Sequence, residues 1–254
     1  TLGVYREQRN SVTMEGYLTK LNKDGSGLVY STFLGKTGYA EHYSVAVDNF
    51  GYAFVTGETG FSDFPVTPGS FKLFMGGTYD IFVTKINVDG SSALYSALFG
   101  GGKKDSVRGM DVDAFGNAYI CGYTQSVDYP TTSGAFQPAF YGNYPEDQWN
   151  GFVTKIAADG SALAYSTYLS GQDDSSYSRL SARTEITGII VNEKSEAIIT
   201  GRTDVETFPV TTDGYQKKIR GGLDAFLTSF SPDGERLEYS TFLGGARNDY
   251  GEAL

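Results

Sequence analysis

Reactive side chains are scarce in this chain: one histidine, His42, and one cysteine, Cys121, stand among 254 residues. A single histidine excludes a His-rich zinc site, and a Ser-His-Asp relay would have to be assembled around His42 alone. One cysteine forms no intrachain disulfide. Cys121 holds a position that Thr56 and Thr200 fill in sister segments, so it reads as a small buried residue rather than a reactive thiol. Among the acids, Asp173-Asp174 is the better candidate for calcium. Asn22-Lys23-Asp24-Gly25 has a faint look of a calcium loop but lacks the downstream ligands, and is read as a turn. No cofactor is expected, with calcium kept as the alternative. Glycoside hydrolysis would need two carboxyls facing each other at roughly 5–10 Å, which spacing along a chain does not reveal. No catalytic residue is assigned and no metal site is expected.

Residues suited to binding are more plentiful. One stretch carries Tyr141, Tyr144 and Trp149, the single tryptophan; another carries Asp173, Asp174, Tyr177, Arg179 and Arg183. Rings beside polar tips stack on sugars or anchor a protein partner. The competing reading is that these aromatics merely close a long loop over sheet edges. Asp80 and Asp224, with Glu15 and Asn150 at the same place, are expected to accept hydrogen bonds from backbone amides of the loops they close.

The elements that carry these residues follow from an internal repeat. Gly16-Tyr17-Leu18-Thr19-Lys20 returns as Phe82-Val83-Thr84-Lys85, Phe152-Val153-Thr154-Lys155 and Phe226-Leu227-Thr228, each followed at fixed spacing by Asp-Gly and then Tyr. Regularity of this kind decides architecture first. Each full unit reads as four short strands: 44–48, 52–57, 81–87 and 93–99; then 109–113, 118–122, 151–157 and 163–169; then 188–192, 197–201, 225–231 and 237–243. Ala53-Phe54-Val55, Ala118-Tyr119-Ile120 and Ala197-Ile198-Ile199 are apolar at consecutive positions, so both faces of those strands are buried. Four-stranded units covered on both sides and repeated in fixed order predict an all-β fold, a β-propeller of four-stranded antiparallel blades.

These phrases, with Asp224-Ala225-Phe226, Tyr239-Ser240-Thr241-Phe242-Leu243-Gly244-Gly245 and the run from Val112-Asp113 to Gly122, resemble the bacterial β-propeller repeat family called SBBP. The copy from Ile189 to Thr203 departs most, with Asn192 and Ser195 where Asp and Gly are expected. The resemblance implies a secreted or cell-surface bacterial protein and supplies no catalytic residues. The ends read as cut. We expect a partial blade over 1–35, blades over about 44–100, 109–170 and 187–245, and the opening of another over 249–254, as a piece of a larger protein.

Length varies in only two of the four connections, second strand to third and fourth strand to the next first. In an up-and-down blade both emerge on one side, which makes that side the candidate binding face. The insertions near 138–149 and 171–185 flank one blade and bring the eight binding candidates to it. Phe64-Pro65, Tyr129-Pro130 and Phe208-Pro209, with Phe71, Phe136 and Tyr215, recur in register and are expected to be structural. Net charge is −10 with no basic cluster, which excludes a nucleic-acid partner of the usual kind, and no apolar run reaches the roughly 18 residues of a membrane span. The expectation is a non-enzymatic extracellular scaffold or ligand-binding module for a protein or glycan, in contact with further blades or neighbouring subunits. A carbohydrate-active propeller (glycoside hydrolase or lyase) and a purely structural spacer are the alternatives.

Overall fold

The computed structural model describes residues 1–254 apart from 10–14, 36–39, 62, 72–75, 143–146 and 173–181, and apart from the side chains of 40–43. Among the described residues there is no helix, and 14 strands form one two-stranded and three four-stranded antiparallel sheets. The two-stranded sheet joins β1 (Gly16–Leu21) to β2 (Leu28–Leu34). Blade I holds β3 (Ala40–Val47), β4 (Ala53–Thr59), β5 (Asp80–Ile86) and β6 (Ala93–Phe99). Blade II holds β7 (Asp105–Val112), β8 (Ala118–Thr124), β9 (Asn150–Ile156) and β10 (Leu163–Leu169). Blade III holds β11 (Thr184–Val191), β12 (Ala197–Thr203), β13 (Asp224–Phe230) and β14 (Leu237–Leu243).

Strand order within each blade follows the chain. The first strands of successive blades pack together, β3 on β7 and β7 on β11. Each fourth strand therefore leads to the innermost strand of the next blade, the propeller-like arrangement that the repeat predicts. The hydrophobic clusters lie between blades. Phe54, Phe99 and Tyr95 of blade I join Ile120, Phe152 and Tyr168 of blade II, and Tyr119 and Val153 of blade II join Ile199 and Phe226 of blade III. Strands β4, β5 and β8 are buried along their whole length, so their consecutive apolar residues face a neighbour on either side.

The first strands begin earlier than expected, at Ala40, Asp105 and Thr184 rather than at 44, 109 and 188. Each carries one residue too many for its partner, Tyr43, Arg108 or Thr187, where the register shifts. Such a bulge lets pairing continue past the point where regular alternation stops.

Each part of the repeated phrase has a contact. The phrase Thr and the Ser of Tyr-Ser-Thr share a cross-strand hydroxyl bond: Thr19 with Ser31, Thr84 with Ser96, Thr154 with Ser166, Thr228 with Ser240, at 2.8, 2.9, 2.8 and 2.8 Å. The phrase Lys reaches the first-hairpin carboxylate, Lys85 to Asp48 and Lys155 to Asp113, both at 3.7 Å. The Asp-Gly hairpin packs on the Tyr of the blade before it. Gly90, Gly160 and Gly234 have φ of 74°, 71° and 71°, and a Cβ there would lie 2.4 Å from the rings of Tyr30, Tyr95 and Tyr165 respectively. The carbonyls of the same glycines accept the amides of Tyr5, Phe71 and Phe136, so one hairpin ties two connections of the preceding blade.

Phe64, Tyr129 and Phe208 are buried, and Phe71 and Phe136 pack against the inter-blade clusters, as expected of the recurring aromatics. Tyr215 departs from the expectation, being 84% exposed. Phe71 and Phe136 each donate their amide to the Asp-Gly hairpin of the following blade. The divergent turn keeps its form. Asn192 Oδ1 accepts the amides of Lys194 and Glu196 at 2.9 and 3.0 Å, as Asp113 accepts those of Phe115 and Asn117, and Ser195 takes the glycine's place with φ of 61°. Asn22–Gly25 is a turn in which Asp24 accepts the amide and hydroxyl of Ser26.

Candidate functional site

The connections after each second and fourth strand leave the blades on one side, and their stems hold several paired polar residues. Asp224 closes its loop as expected, accepting the amides of Arg220 and Gly221 at 3.0 and 3.1 Å and the Gln216 carboxamide at 2.7 Å. Asn150 does the same for the longer loop, accepting the Tyr141 amide at 2.9 Å and the Gln137 carboxamide at 3.2 Å while donating to the Tyr141 carbonyl at 2.8 Å. Glu15 forms an ion pair with Arg6 at 3.3 Å.

Asp80 corrects the expectation. Its carboxylate is wholly buried and neither oxygen accepts a hydrogen bond from a described residue. The position of Gln137 and Gln216 is Lys72 in this repeat, which lies outside the described residues. Asp80 faces Asp105, also wholly buried. One oxygen of each lies within 2.6 Å of the point where a Cβ on Gly100 would stand. Asp105 is better held, by the Gly101 amide at 2.6 Å and the hydroxyls of Ser126 and Thr124. Burial, then the charges of Asp105 and Asp128, push Asp80 up to about 7. Burial likewise pushes Asp105 up to about 6 against those hydrogen bonds.

Trp149 and Arg183, from the ends of the two insertions, are neighbours. Their backbones form a parallel bridge, the Trp149 amide donating to the Ala182 carbonyl at 3.0 Å and the Trp149 carbonyl accepting the Thr184 amide at 2.9 Å. The Arg183 guanidinium lies 4.7 Å from the centre of the indole. The indole stacks on Tyr123, centroids 4.5 Å apart and planes at 17°. Tyr123 in turn carries Arg108 at 5.0 Å and Lys104 at 5.7 Å, and Lys104 also lies 5.9 Å from Tyr79. Tyr79 and Lys104 form the same parallel bridge one blade earlier. A continuous band of rings and cations, Tyr79–Lys104–Tyr123–Trp149–Arg183, thus runs across blades I and II.

From Arg108 a chain of charges continues inward. Arg108 meets Glu58 of blade I at 3.5 Å and Glu185 of blade III at 3.2 Å; Glu185 also holds Arg202 at 2.6 Å, and Arg202 sits 5.0 Å from the Tyr250 ring. Ser106 donates to Glu58. Arg108 takes part because it is the extra residue of the β7 bulge, which re-aims its side chain. Outward, an open groove of about 340 Å³ lies between blades II and III, lined by Gln137, Tyr141, Ser170, Gln172, Thr207 and Pro209 among others.

Of the eight expected binding residues, the structure brings Trp149 and Arg183 into contact and fixes Tyr141, 37% exposed, to Asn150 beside Trp149. Tyr144, Asp173, Asp174, Tyr177 and Arg179 lie outside the described residues, as does the His42 side chain. Trp149 is half-buried, stacked on Tyr123 and in contact with the Arg183 guanidinium, rather than an open stacking platform. Tyr79, Lys104, Arg108, Tyr123 and Arg202 were not singled out from the sequence. Their signal was register: Tyr79 and Trp149 both precede a third strand, Lys104 and Arg183 both precede a first strand. Cys121 is wholly buried, and burial drives its thiol far above the ordinary range, so it stays an unreactive thiol. Among the described residues no cluster of three or more His, Cys, Asp or Glu side chains is arranged for a metal, and no helix is long and apolar enough to cross a membrane.

Residues 29–65 and 94–130 each match the family model described as SBBP, beta-propeller repeat. Each match runs from the fourth strand of one sheet through the first two strands of the next blade. No curated protein matches the chain.

Proposed function

From a chain that carries SBBP β-propeller repeats at 29–65 and 94–130, we propose a non-enzymatic, extracellular or cell-surface scaffold that holds a protein or glycan ligand on its variable face. The observation that carries this reading is the meeting of Trp149 and Arg183. It joins the ends of the two insertions at the edge of rigid blades, which supports a reading in which loops carry binding while sheets carry stability. Tyr141 and the groove beside it extend the same surface.

The carbohydrate-active alternative requires two carboxyls facing an open cleft. Among the described residues the two acids with raised pKa, Asp80 and Asp105, are wholly buried instead, which favours binding over hydrolysis. Glycan-array and pull-down measurements on wild type, Tyr141→Ala and Trp149→Ala test the proposal. Trp149→Ala is expected to weaken binding by about 2 kcal/mol, the scale of an interfacial hot spot, and Tyr141→Ala to weaken it without lowering the melting temperature. Undiminished binding by both variants would return the face to a structural role, and release of reducing sugar from a captured glycan would establish the enzyme reading.

A further inference from the structure

Resting on the reading of this side as a binding face, we propose that the ring-and-cation band takes an acidic polysaccharide, recognised through its carboxylates. The Trp149 ring stacks on Tyr123 and also carries the Arg183 guanidinium, 4.7 Å from its centre. A neutral sugar would have to displace the guanidinium before it could stack on the indole. The groups left to make contact are the cations themselves.

Two of those cations are already neutralised. Arg108 is shared between Glu58 and Glu185, and Arg202 pairs with Glu185. Lys104 and Arg183 have no ion-pair partner among the described residues. In a chain of net charge −10, two uncompensated cations on one rim form a local attraction for anions. Arg183 is exposed, and resting on an aromatic ring confines its guanidinium while leaving N–H donors at its edge for a carboxylate.

Repetition decides the kind of anion. Tyr79 with Lys104 and Trp149 with Arg183 occupy the same register in successive blades and make the same parallel bridge. The band therefore offers one aromatic-plus-cation pair twice, in the relation that one blade bears to the next. A ligand with a repeating charged unit matches both pairs with one conformation, whereas an acidic peptide gains nothing from the repeat.

The test titrates the 254-residue protein with oligogalacturonate, a neutral malto-oligosaccharide of the same length, and poly-glutamate of the same charge. Wild type is compared with the K104Q/R183Q double variant and with K23Q, a cation on the Asp24-Gly25 hairpin. Oligogalacturonate is expected to bind, more weakly as salt rises. The double variant is expected to bind it about tenfold or more less tightly, the scale of two lost charge-assisted contacts, with K23Q unchanged. K104Q alone, expected to lose several-fold, serves if the double variant melts early. Neutral sugar bound as tightly, with K104Q/R183Q unaffected, overturns the inference while leaving the binding-face reading intact. Equal capture of poly-glutamate overturns the assignment to a saccharide. No binding of oligogalacturonate overturns the inference outright, and failure of Tyr141→Ala and Trp149→Ala to affect any ligand is the separate result that removes the underlying reading.

Discussion

At the scale of single residues, Asp80 is the least comfortable group in the described structure. A carboxylate without donors in a low-dielectric site favours its neutral form, and the facing Asp105 adds to the effect. Blade II resolves the same position differently: Asn150 replaces the acid, and Ser170 stands where blade I has Gly100. An unfolded Asp titrates near 3.9, whereas folded Asp80 titrates at about 7. Below the unfolded value both states are protonated and the native state keeps its full stability. As pH rises from about 4 through 7 the unfolded chain ionises freely while the folded one resists, and stability is lost. Asp80→Asn removes that loss. Urea melts from pH 4 to pH 8 are expected to place wild type and Asp80→Asn close together at the acid end and to separate them above pH 6. The variant should lead by on the order of a few kcal/mol at pH 8. A pH-independent difference would mean that Asp80 is ionised and compensated.

At the scale of elements, the Asp-Gly hairpins serve as the joints between blades. Gly25 and Gly160 share nearly the same backbone, φ of 72° and 71°, but a Cβ on Gly25 meets nothing within 4 Å and one on Gly160 enters the Tyr95 ring. The pair separates two costs of losing a glycine. Gly25→Ala carries the strain of a positive φ alone, about 1 kcal/mol. Gly160→Ala adds overpacking against a buried ring, typically 1–3 kcal/mol more. Denaturant melts of the two variants are expected to differ by at least about 1 kcal/mol, and equal losses would show that the hairpin does not bear on its neighbour. Ser195 accepts the backbone strain in a turn whose Asn192 still caps two amides, which is why a divergent sequence there leaves the fold unchanged.

At the scale of the whole molecule, Glu58, Arg108, Glu185 and Arg202 link three blades through one chain of charge. Glu185 is buried between two arginines, and taking away one partner of a buried pair costs about 3–5 kcal/mol. Glu185→Gln should therefore lower the melting temperature while leaving each blade's own ladder in place. The two-stranded sheet is the opposite case. Tyr17, Leu21, Leu28 and Val29 are exposed there, and β1 pairs on one side only among the described strands. Open apolar edges favour association. Light scattering of the 254-residue chain is expected to show concentration-dependent growth, reduced when Tyr17 and Leu28 are replaced by Lys. A monomer at all concentrations would mean that this sheet is protected by other means.

The sequence by itself determined the blades, because strand period, Asp-Gly turns and the Thr, Ser and Tyr of the phrase act over short distances and recur at fixed spacing. It also told which connections vary, since length is a property of the chain alone. First-strand boundaries escaped it, because a bulge is defined by the partner strand and leaves no local mark; Tyr43, Arg108 and Thr187 share no residue type. The candidate site was legible only in part. Trp149 and Arg183 stood out by type and by insertion. Their contact, and the addition of Tyr79, Lys104 and Tyr123 to them, depends on how successive blades are set side by side. Tertiary structure also reversed roles that residue type had implied. Trp149 is stacked on Tyr123 and in contact with Arg183, and Asp80 is left without described amides of the kind that hold Asp224. In each case the decision rests with what a neighbouring blade or loop brings against the side chain, and that is a property of the assembled sheets rather than of the residue.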